Sequence, residues 1–178
     1  MRTFLALPLA DPAVDAFVRL QSSLPTGNPV PEDNLHLTLA YLGDASESVL
    51  EVLHDLLSAA ALPAPEIAFS GLGTFAEMER GLTFAAVTPS EPLIALQAKT
   101  ARLARMAGAD LPRRRFRPHV TLTRASKQPK GPARDRLAAA MGMEIEVPGF
   151  AATALNLYQS HLGPSGARHE VLASYPLR

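Results

Sequence analysis

A strict alternation of apolar and polar residues marks a short segment early in the chain. Every second residue from Leu35 to Leu39 is leucine, and His36 and Thr38 stand between them. A period of two is typical of a β-strand with one buried face. The sequence therefore predicts a strand here, with His36 and Thr38 together on the face opposite the leucines.

The same pattern returns 83 positions further along the chain (119 minus 36). Within 116–123, His119 and Thr121 alternate with Val120 and Leu122. Both segments have the order His, apolar residue, Thr, Leu. We therefore predict two lobes of similar construction, whose histidines and threonines converge on one cleft.

The remaining pattern alternates helices with pairs of strands. Apolar residues at helical spacing predict helices over 11–24, from 44 to just before 63, over 93–107 and over 134–141. Shorter apolar runs predict strands at 4–9, 67–72, 82–87, 144–148, 154–159 and 170–173. This order favours an α+β fold over a parallel doubly wound sheet. No linker divides the chain, so residues 1–178 are expected to form a single domain.

Composition excludes several classes of protein. The chain has 178 residues, 47% of them hydrophobic, and a formal net charge of zero, as expected of a compact folded domain. The absence of cysteine excludes disulfides, thiolate zinc sites and a cysteine nucleophile. The apolar opening is interrupted by Pro8 and followed by Asp11, which indicates a first strand and not a signal peptide. No apolar run approaches the roughly 20 residues that a spanning helix needs, so a cytoplasmic protein without membrane contact is expected.

Paired histidines suit the opening of a cyclic phosphodiester. One imidazole takes a proton from the attacking water while the other gives one to the leaving oxygen. The hydroxyls of Thr38 and Thr121 would donate hydrogen bonds to the phosphate oxygens, so no metal is required. A single strand histidine is usually structural, and threonine favours strands in any case. The duplication favours catalysis by His36 and His119.

The chain resembles the 2H phosphoesterase superfamily, and within it the bacterial RNA 2',3'-cyclic phosphodiesterases, historically called 2'-5' RNA ligases. Four blocks carry the resemblance, at 2–7, 34–39, 117–122 and 162–166. It implies a bilobal α+β fold of two pseudo-symmetric lobes, with antiparallel sheets lining a central cleft and helices outside. It also implies hydrolysis to a 2'-phosphate, with His36 as acid and His119 as base, and leaves reversible 2'-5' ligation open.

The same resemblance assigns phosphate contact to Arg124, five positions after the second histidine. Strict alternation would place Arg124 on the face opposite His119, so the strand must end or bulge before it. Asn28 and Pro29 stand where the family often has an aromatic residue, and His169 where it often has tyrosine. These departures affect the expected nucleobase contacts and leave the acid and base chemistry intact.

Basic residues concentrate around the second motif. The window 113–136 holds nine of the seventeen Lys and Arg residues against one acid, a net +8, so the remainder carries −8. The nine are Arg113, Arg114, Arg115, Arg117, Arg124, Lys127, Lys130, Arg134 and Arg136. Such a segment attracts the phosphates of an RNA, although a solvated loop would have the same composition.

The other histidines and the glycines give weaker signals. His54 is expected on a helix surface. His161 and His169 could join the paired histidines as metal ligands, but no helical His-Glu-x-x-His signature or carboxylate cluster accompanies them. Gly71 and Gly73 lack the rest of a phosphate-binding loop. Neither a metal nor another cofactor is expected.

Two alternatives remain open from the sequence. Another activity of the superfamily would use the same chemistry on a cyclic phosphate of ADP-ribose or on a 2'-5' linkage. A binding module that holds a nucleotide or an RNA end without turnover would retain the fold alone. The favoured partner is an RNA ending in 2',3'-cyclic phosphate, or a small cyclic nucleotide, bound by a monomer with no obligate protein partner.

Overall fold

The computed structural model describes residues 1–25, 27–74, 81–112, 115–125, 129–164 and 166–178. The helices are α1 (Asp11–Ser23), α2 (Glu47–Ala59), α3 (Glu91–Met106) and α4 (Pro132–Met141). The strands are β1 (Arg2–Pro8), β2 (Asn28–Pro29), β3 (His36–Asp44), β4 (Glu66–Ile67), β5 (Phe69–Thr74), β6 (Leu82–Val87), β7 (His119–Arg124), β8 (Phe150–Ala151), β9 (Ala154–Gly163) and β10 (Gly166–Pro176). A 3-10 turn spans Glu32–Asn34.

The strands form one antiparallel sheet in the order β10-β9-β1-β3-β7-β6-β5, with β2 also paired to β7, and a separate pair of β4 with β8. The two motif strands, β3 and β7, are neighbours at its centre. They pair through Leu37 and Val120, both fully buried. One lobe is built on β3 and the other on β7, so the predicted α+β fold with two similar lobes is confirmed.

Helical spacing of apolar residues builds the core on the leucine face of the sheet. Leu50, Leu53 and Leu57 are the buried residues of α2, which packs against α3, and α3 contacts β3. Hydroxyl caps begin both helices: Ser46 accepts from the Val49 amide at 3.4 Å, and Ser90 caps α3 in the same way. The helices therefore cover one face of the sheet and leave the histidine face accessible.

The predicted strand at 144–148 is wrong. Ile145 and Val147 are partly buried against the core while the glutamates beside them are exposed, but the segment forms no ladder with other described residues. The strand lies further on, at Phe150–Ala151, where a Cβ added to Gly149 would lie 2.8 Å from the carbonyl oxygen of Ile67. Only glycine permits this close approach, which brings β8 beside β4.

Candidate active site

The imidazoles of His36 and His119 are held by the same kind of hydrogen bond. Nδ1 of His36 lies 2.7 Å from the carbonyl oxygen of Asn34, and Nδ1 of His119 lies 2.7 Å from that of Arg117. A carbonyl oxygen only accepts, so each Nδ1 carries the proton and donates. In the neutral form of each ring, Nε2 is then the basic nitrogen.

Aromatic rings surround His36. The centroids of Phe4, His169 and Tyr158 lie 4.8, 5.3 and 6.0 Å from that of His36. Burial in this setting, reinforced by the charges of His169, Arg124 and His119, lowers the pKa of His36 from 6.5 to about 4. His36 is therefore neutral at neutral pH.

His119 has a different environment. The ring of Phe84, on the neighbouring β6, lies 5.2 Å from it, centroid to centroid. Burial is the main cause that lowers the pKa of His119, and the positive charges of Arg124 and Arg117 add to it, while the hydrogen bond to the Arg117 carbonyl opposes it. The two candidate catalytic groups thus differ in surroundings although their motifs match.

A β-bulge follows the first motif. β1 pairs Leu5 with Ala40 and Ala6 with Thr38, so Leu39 is the extra residue of β3. Leu39 and Ala40 are both buried, which interrupts the alternation that His36 begins. The residue facing the cleft side after Thr38 is therefore Tyr41 and not Ala40.

β7 has the same bulge at the same distance from its histidine. β6 pairs Thr83 with Thr123 and Phe84 with Thr121, which makes Leu122 the extra residue. The sequence required the strand to end or bulge before Arg124, and the structure has the bulge, with the strand continuing to Arg124.

The charge of Arg124 acts on all three histidines of the cleft. Its positive charge contributes to the lowered pKa values of His36, His119 and His169, for the last after burial as the main cause. Thr38 and Thr121 are half-buried. They lie on the same faces of β3 and β7 as His36 and His119. The structure thus brings together the five residues singled out in the sequence.

Two glutamines that no sequence pattern singles out bind the bulges. Gln21 of α1 donates to the carbonyl oxygen of Leu122 at 2.8 Å, and Gln97 of α3 donates to that of Leu39 at 3.2 Å. Phe4, Phe84 and Tyr158 were missed as well. Their only signal was aromatic character in strand segments, which is equally typical of core residues.

Of the three remaining histidines, two have other partners and one packs against His36. His161 pairs with Glu170 at 2.9 Å, and His54 lies 3.1 Å from the Tyr175 hydroxyl. His169, by contrast, packs its ring against Phe4 and His36. Within the described ranges, no group of three or more His, Asp or Glu side chains is placed to hold a metal ion.

The basic segment is described in part. Arg115, Arg117, Arg124, Lys130, Arg134 and Arg136 are exposed. Arg113, Arg114 and Lys127 lie outside the described residues. Among the helices that the structure describes, none has the length and apolar character to cross a membrane.

Comparisons with known proteins match this arrangement. The family model described as the 2'-5' RNA ligase superfamily matches residues 9–164. The chain is 33% identical to an RNA 2',3'-cyclic phosphodiesterase of Thermus thermophilus, over 100% of this chain and 91% of the relative. It is 32% identical to one of Geobacillus stearothermophilus over 98% of this chain, and it spans only 56% of that relative's length.

Solved structures have the same fold. The protein TT0787 of Thermus thermophilus superposes with a TM-score of 0.84 at 24% identity, covering 100% of this chain and 98% of that one. Apo LigT of E. coli superposes with a TM-score of 0.78 at 24% identity, covering 99% and 96%. With a family model that covers most of its length and the same fold in these neighbours, the chain belongs to the 2'-5' RNA ligase superfamily, the 2H phosphoesterases.

Proposed function

We propose that this protein hydrolyses a 2',3'-cyclic phosphate at the end of an RNA to a 2'-phosphate, with His36 and His119 as acid and base. One observation carries the proposal. The two imidazoles lie on adjacent strands, and a backbone carbonyl two residues earlier holds each in the same tautomer. Relatives at 32 and 33% identity are named RNA 2',3'-cyclic phosphodiesterase, which supports the choice of substrate.

The reaction needs one proton taken and one given. Nε2 of neutral His119 accepts a proton from water as the water oxygen bonds to phosphorus. Nε2–H of protonated His36 donates to the 3'-oxygen as its bond to phosphorus breaks, in line with the attack. The product carries a 2'-phosphate and a 3'-hydroxyl, and exchange with solvent restores both imidazoles.

His36 takes up its proton from solvent when the substrate binds. The pKa of His36, about 4, leaves little imidazolium at neutral pH. A cyclic phosphodiester carries one negative charge, and an anion beside an imidazole favours its charged form. Substrate binding therefore raises the pKa of His36 and supplies the acid where it is needed.

Arg124, Thr38 and Thr121 stabilise the phosphate in this proposal. They donate hydrogen bonds to its non-bridging oxygens, on which charge increases as phosphorus becomes five-coordinate. Arg124 also supports one orientation of the substrate. The position equivalent to it after the β3 bulge is Tyr41, whose ring lies 5.6 Å from the Arg2 guanidinium. The two halves of the cleft therefore differ at this position, which is arginine in β7 and tyrosine in β3.

The proposed partner is an RNA end, although a small cyclic nucleotide fits the same chemistry. E. coli LigT, a structural neighbour at 25% identity, has been solved complexed with 3'-AMP. The exposed basic residues around β7 support a longer RNA, because they can bind phosphates beyond the terminal one. We further propose that residues 1–178 act as one domain and as a monomer in the cytoplasm.

The test is incubation of the pure protein with an RNA ending in 2',3'-cyclic phosphate, in excess chelator. Chromatography against authentic 2'- and 3'-nucleotides identifies the product, for which a 2'-phosphate is expected. A 3'-phosphate would refute the orientation, and activity that requires a divalent ion would refute the metal-free chemistry. The cyclic phosphate of ADP-ribose and a 2'-5' dinucleotide serve as competing substrates. Absence of turnover on all of them would favour a binding module.

A further inference from the structure

The side chain of Asn34 joins the segment before β3 to the last strand of the sheet. Its Nδ2 donates to the carbonyl oxygen of Ala167 at 2.6 Å. Its Oδ1 accepts from the backbone amide of His169 at 3.3 Å. Both partners belong to β10, 133 and 135 positions away. The side-chain amide of Asn34 thus both donates to and accepts from the backbone of β10.

The backbone of the same residue holds His36. The carbonyl oxygen of Asn34 accepts the hydrogen bond from Nδ1 of His36 at 2.7 Å. Asn34 is the last residue of the 3-10 turn, and β3 begins only at His36. The carbonyl on which His36 depends therefore lies outside the ladder that would otherwise fix it, and the bonds to β10 restrain it.

The second motif achieves the same restraint in another way. The residue between Arg117 and His119 is Pro118, whose ring fixes its φ angle. The carbonyl oxygen of Pro118 also accepts from the Val87 amide at 3.1 Å. The first motif has Leu35 at this position, without the restriction of a proline. In the first motif, the hydrogen bonds from the Asn34 side chain to β10 restrain the carbonyl group that Pro118 restrains in the second.

We propose that Asn34 is a positioning residue for His36, which it orients by fastening its own carbonyl group to the backbone of β10. The role rests on the proposed function, since it concerns the orientation of the acid. Asparagine suits this position because its amide both donates and accepts. Aspartate would retain the acceptor for the His169 amide but would place a carboxylate oxygen against the Ala167 carbonyl.

The same connection places the ring of His169. The His169 amide is bonded to Asn34, and the His169 ring packs edge-to-face on His36 with centroids 5.3 Å apart. Loss of the Asn34 side chain would thus remove the restraint on the Asn34 carbonyl, which accepts from Nδ1 of His36. It would also remove the restraint on the His169 ring, which packs against His36. His119, held by Arg117 and Pro118, would keep its environment.

Asn34→Ala and Asn34→Asp test the inference, with Asp33→Ala as the matched control. Asp33 is exposed, lies in the same 3-10 turn, and has a side chain of the same size. We expect both Asn34 variants to lower kcat by roughly 10- to 100-fold with KM little changed, because a misplaced group loses orientation and not affinity. The Asp33→Ala protein should keep the wild-type kcat.

NMR of the imidazole nitrogens gives a readout that a purely structural role would not move. In the Asn34 variants, His36 should lose its single Nδ1–H tautomer while His119 keeps it. If Asn34→Ala does not fold, Asn34→Asp, which keeps the volume and one hydrogen bond, decides by the same measurement. A folded variant with wild-type kcat and an unchanged His36 tautomer would overturn the inference.

Failure of the proposed function is distinguishable from failure of this inference. A wild-type protein without turnover on the cyclic phosphate RNA would refute the function. The tautomer of His36 in the Asn34 variants would still decide whether Asn34 orients that ring.

Discussion

The side-chain amide of Gln21 donates a hydrogen bond to the backbone carbonyl oxygen of Leu122, 101 positions further along the chain. Leu122 is the extra residue of the β7 bulge, opposite no residue of β6 in the register. The Val30 amide binds the same oxygen at 2.8 Å, and Gln21 also donates to the Val30 carbonyl. The glutamine thereby stabilises the bulge that places Arg124 near the histidines.

Replacing Gln21 with leucine should destabilise the protein by about 1 to 3 kcal/mol, because buried carbonyl groups lose a donor. Turnover should fall as well, because the bulge and Arg124 lose their support. Gln97→Leu is the matched comparison in the other lobe, where a single bond of 3.2 Å is lost and a smaller destabilisation is expected. Urea unfolding of both variants measures the difference, and a larger effect of Gln97→Leu would contradict this explanation.

His36→Ala and His119→Ala should each abolish measurable turnover while the protein remains folded. The double variant should be little worse than either, because an acid and a base that act as a unit are not additive. Initial rates on a nucleoside 2',3'-cyclic phosphate measure this. His161→Ala, which removes only an exposed pair with Glu170, serves as the control and should retain activity. Substantial activity in either single variant would exclude two-histidine catalysis.

The pH dependence of kcat/KM should be bell-shaped, with its maximum on the acid side of 6.5. The free protein needs one imidazole charged and one neutral, and the pKa values of His36, about 4, and of His119 are both lowered. The charged fraction therefore falls as pH rises through these lowered values. The anionic substrate raises both pKa values, so the kcat profile should lie at higher pH. Coincident kcat and kcat/KM profiles would contradict this account.

His36 should also make the folded protein sensitive to acid. Its pKa is about 4 in the folded state against 6.5 for an ordinary histidine, so between these values the unfolded chain binds more protons. The lowered pKa of His36 therefore reduces the free energy of unfolding as pH falls below 6.5, by about 3 kcal/mol at pH 4. His36→Asn should lose this dependence. Urea unfolding of both proteins at pH 7 and about pH 4 measures the difference, and equal pH sensitivity would refute it.

Arg124→Ala should lower kcat by about 100- to 1000-fold, as loss of a donor to transition-state charge does elsewhere. Lysine should restore part of the rate, since it supplies charge without the planar pair of donors. Exposed Arg134, on α4, gives the control variant Arg134→Ala. Steady-state rates on the cyclic nucleotide provide the comparison, and an unaffected Arg124→Ala protein would place this arginine outside the chemistry.

Local pattern was sufficient for the motif strands. The period of two around His36 and His119 identified both, and the need to place Arg124 on the cleft side required β7 to end or bulge before that residue. Pattern failed at 144–148, where alternating exposure arises from packing without a paired strand. Burial periodicity reports which side faces the core and carries no information on hydrogen-bonded neighbours.

The supporting contacts could not be read from the sequence. Asn34 and Gln21 act through partners 133 and 101 positions away, and a lone amide side chain has no pattern that identifies its partner. The aromatic surroundings of His36 come from β1, β9 and β10, which approach only in the folded sheet. The unlike environments of two matching motifs were therefore visible only in the structure.

The connection between Asn34 and β10 has a consequence for the time at which the protein becomes active. A ribosome that has completed the second motif has already made both histidines, yet the carbonyl group of Ala167 is still to come. Until β10 joins the sheet, the nascent chain holds His36 without its distant anchor. If Asn34 acts as we propose, fragments made by stalled translation or by cleavage before Gly166 would retain both motifs and, like the Asn34 variants, have a lowered kcat.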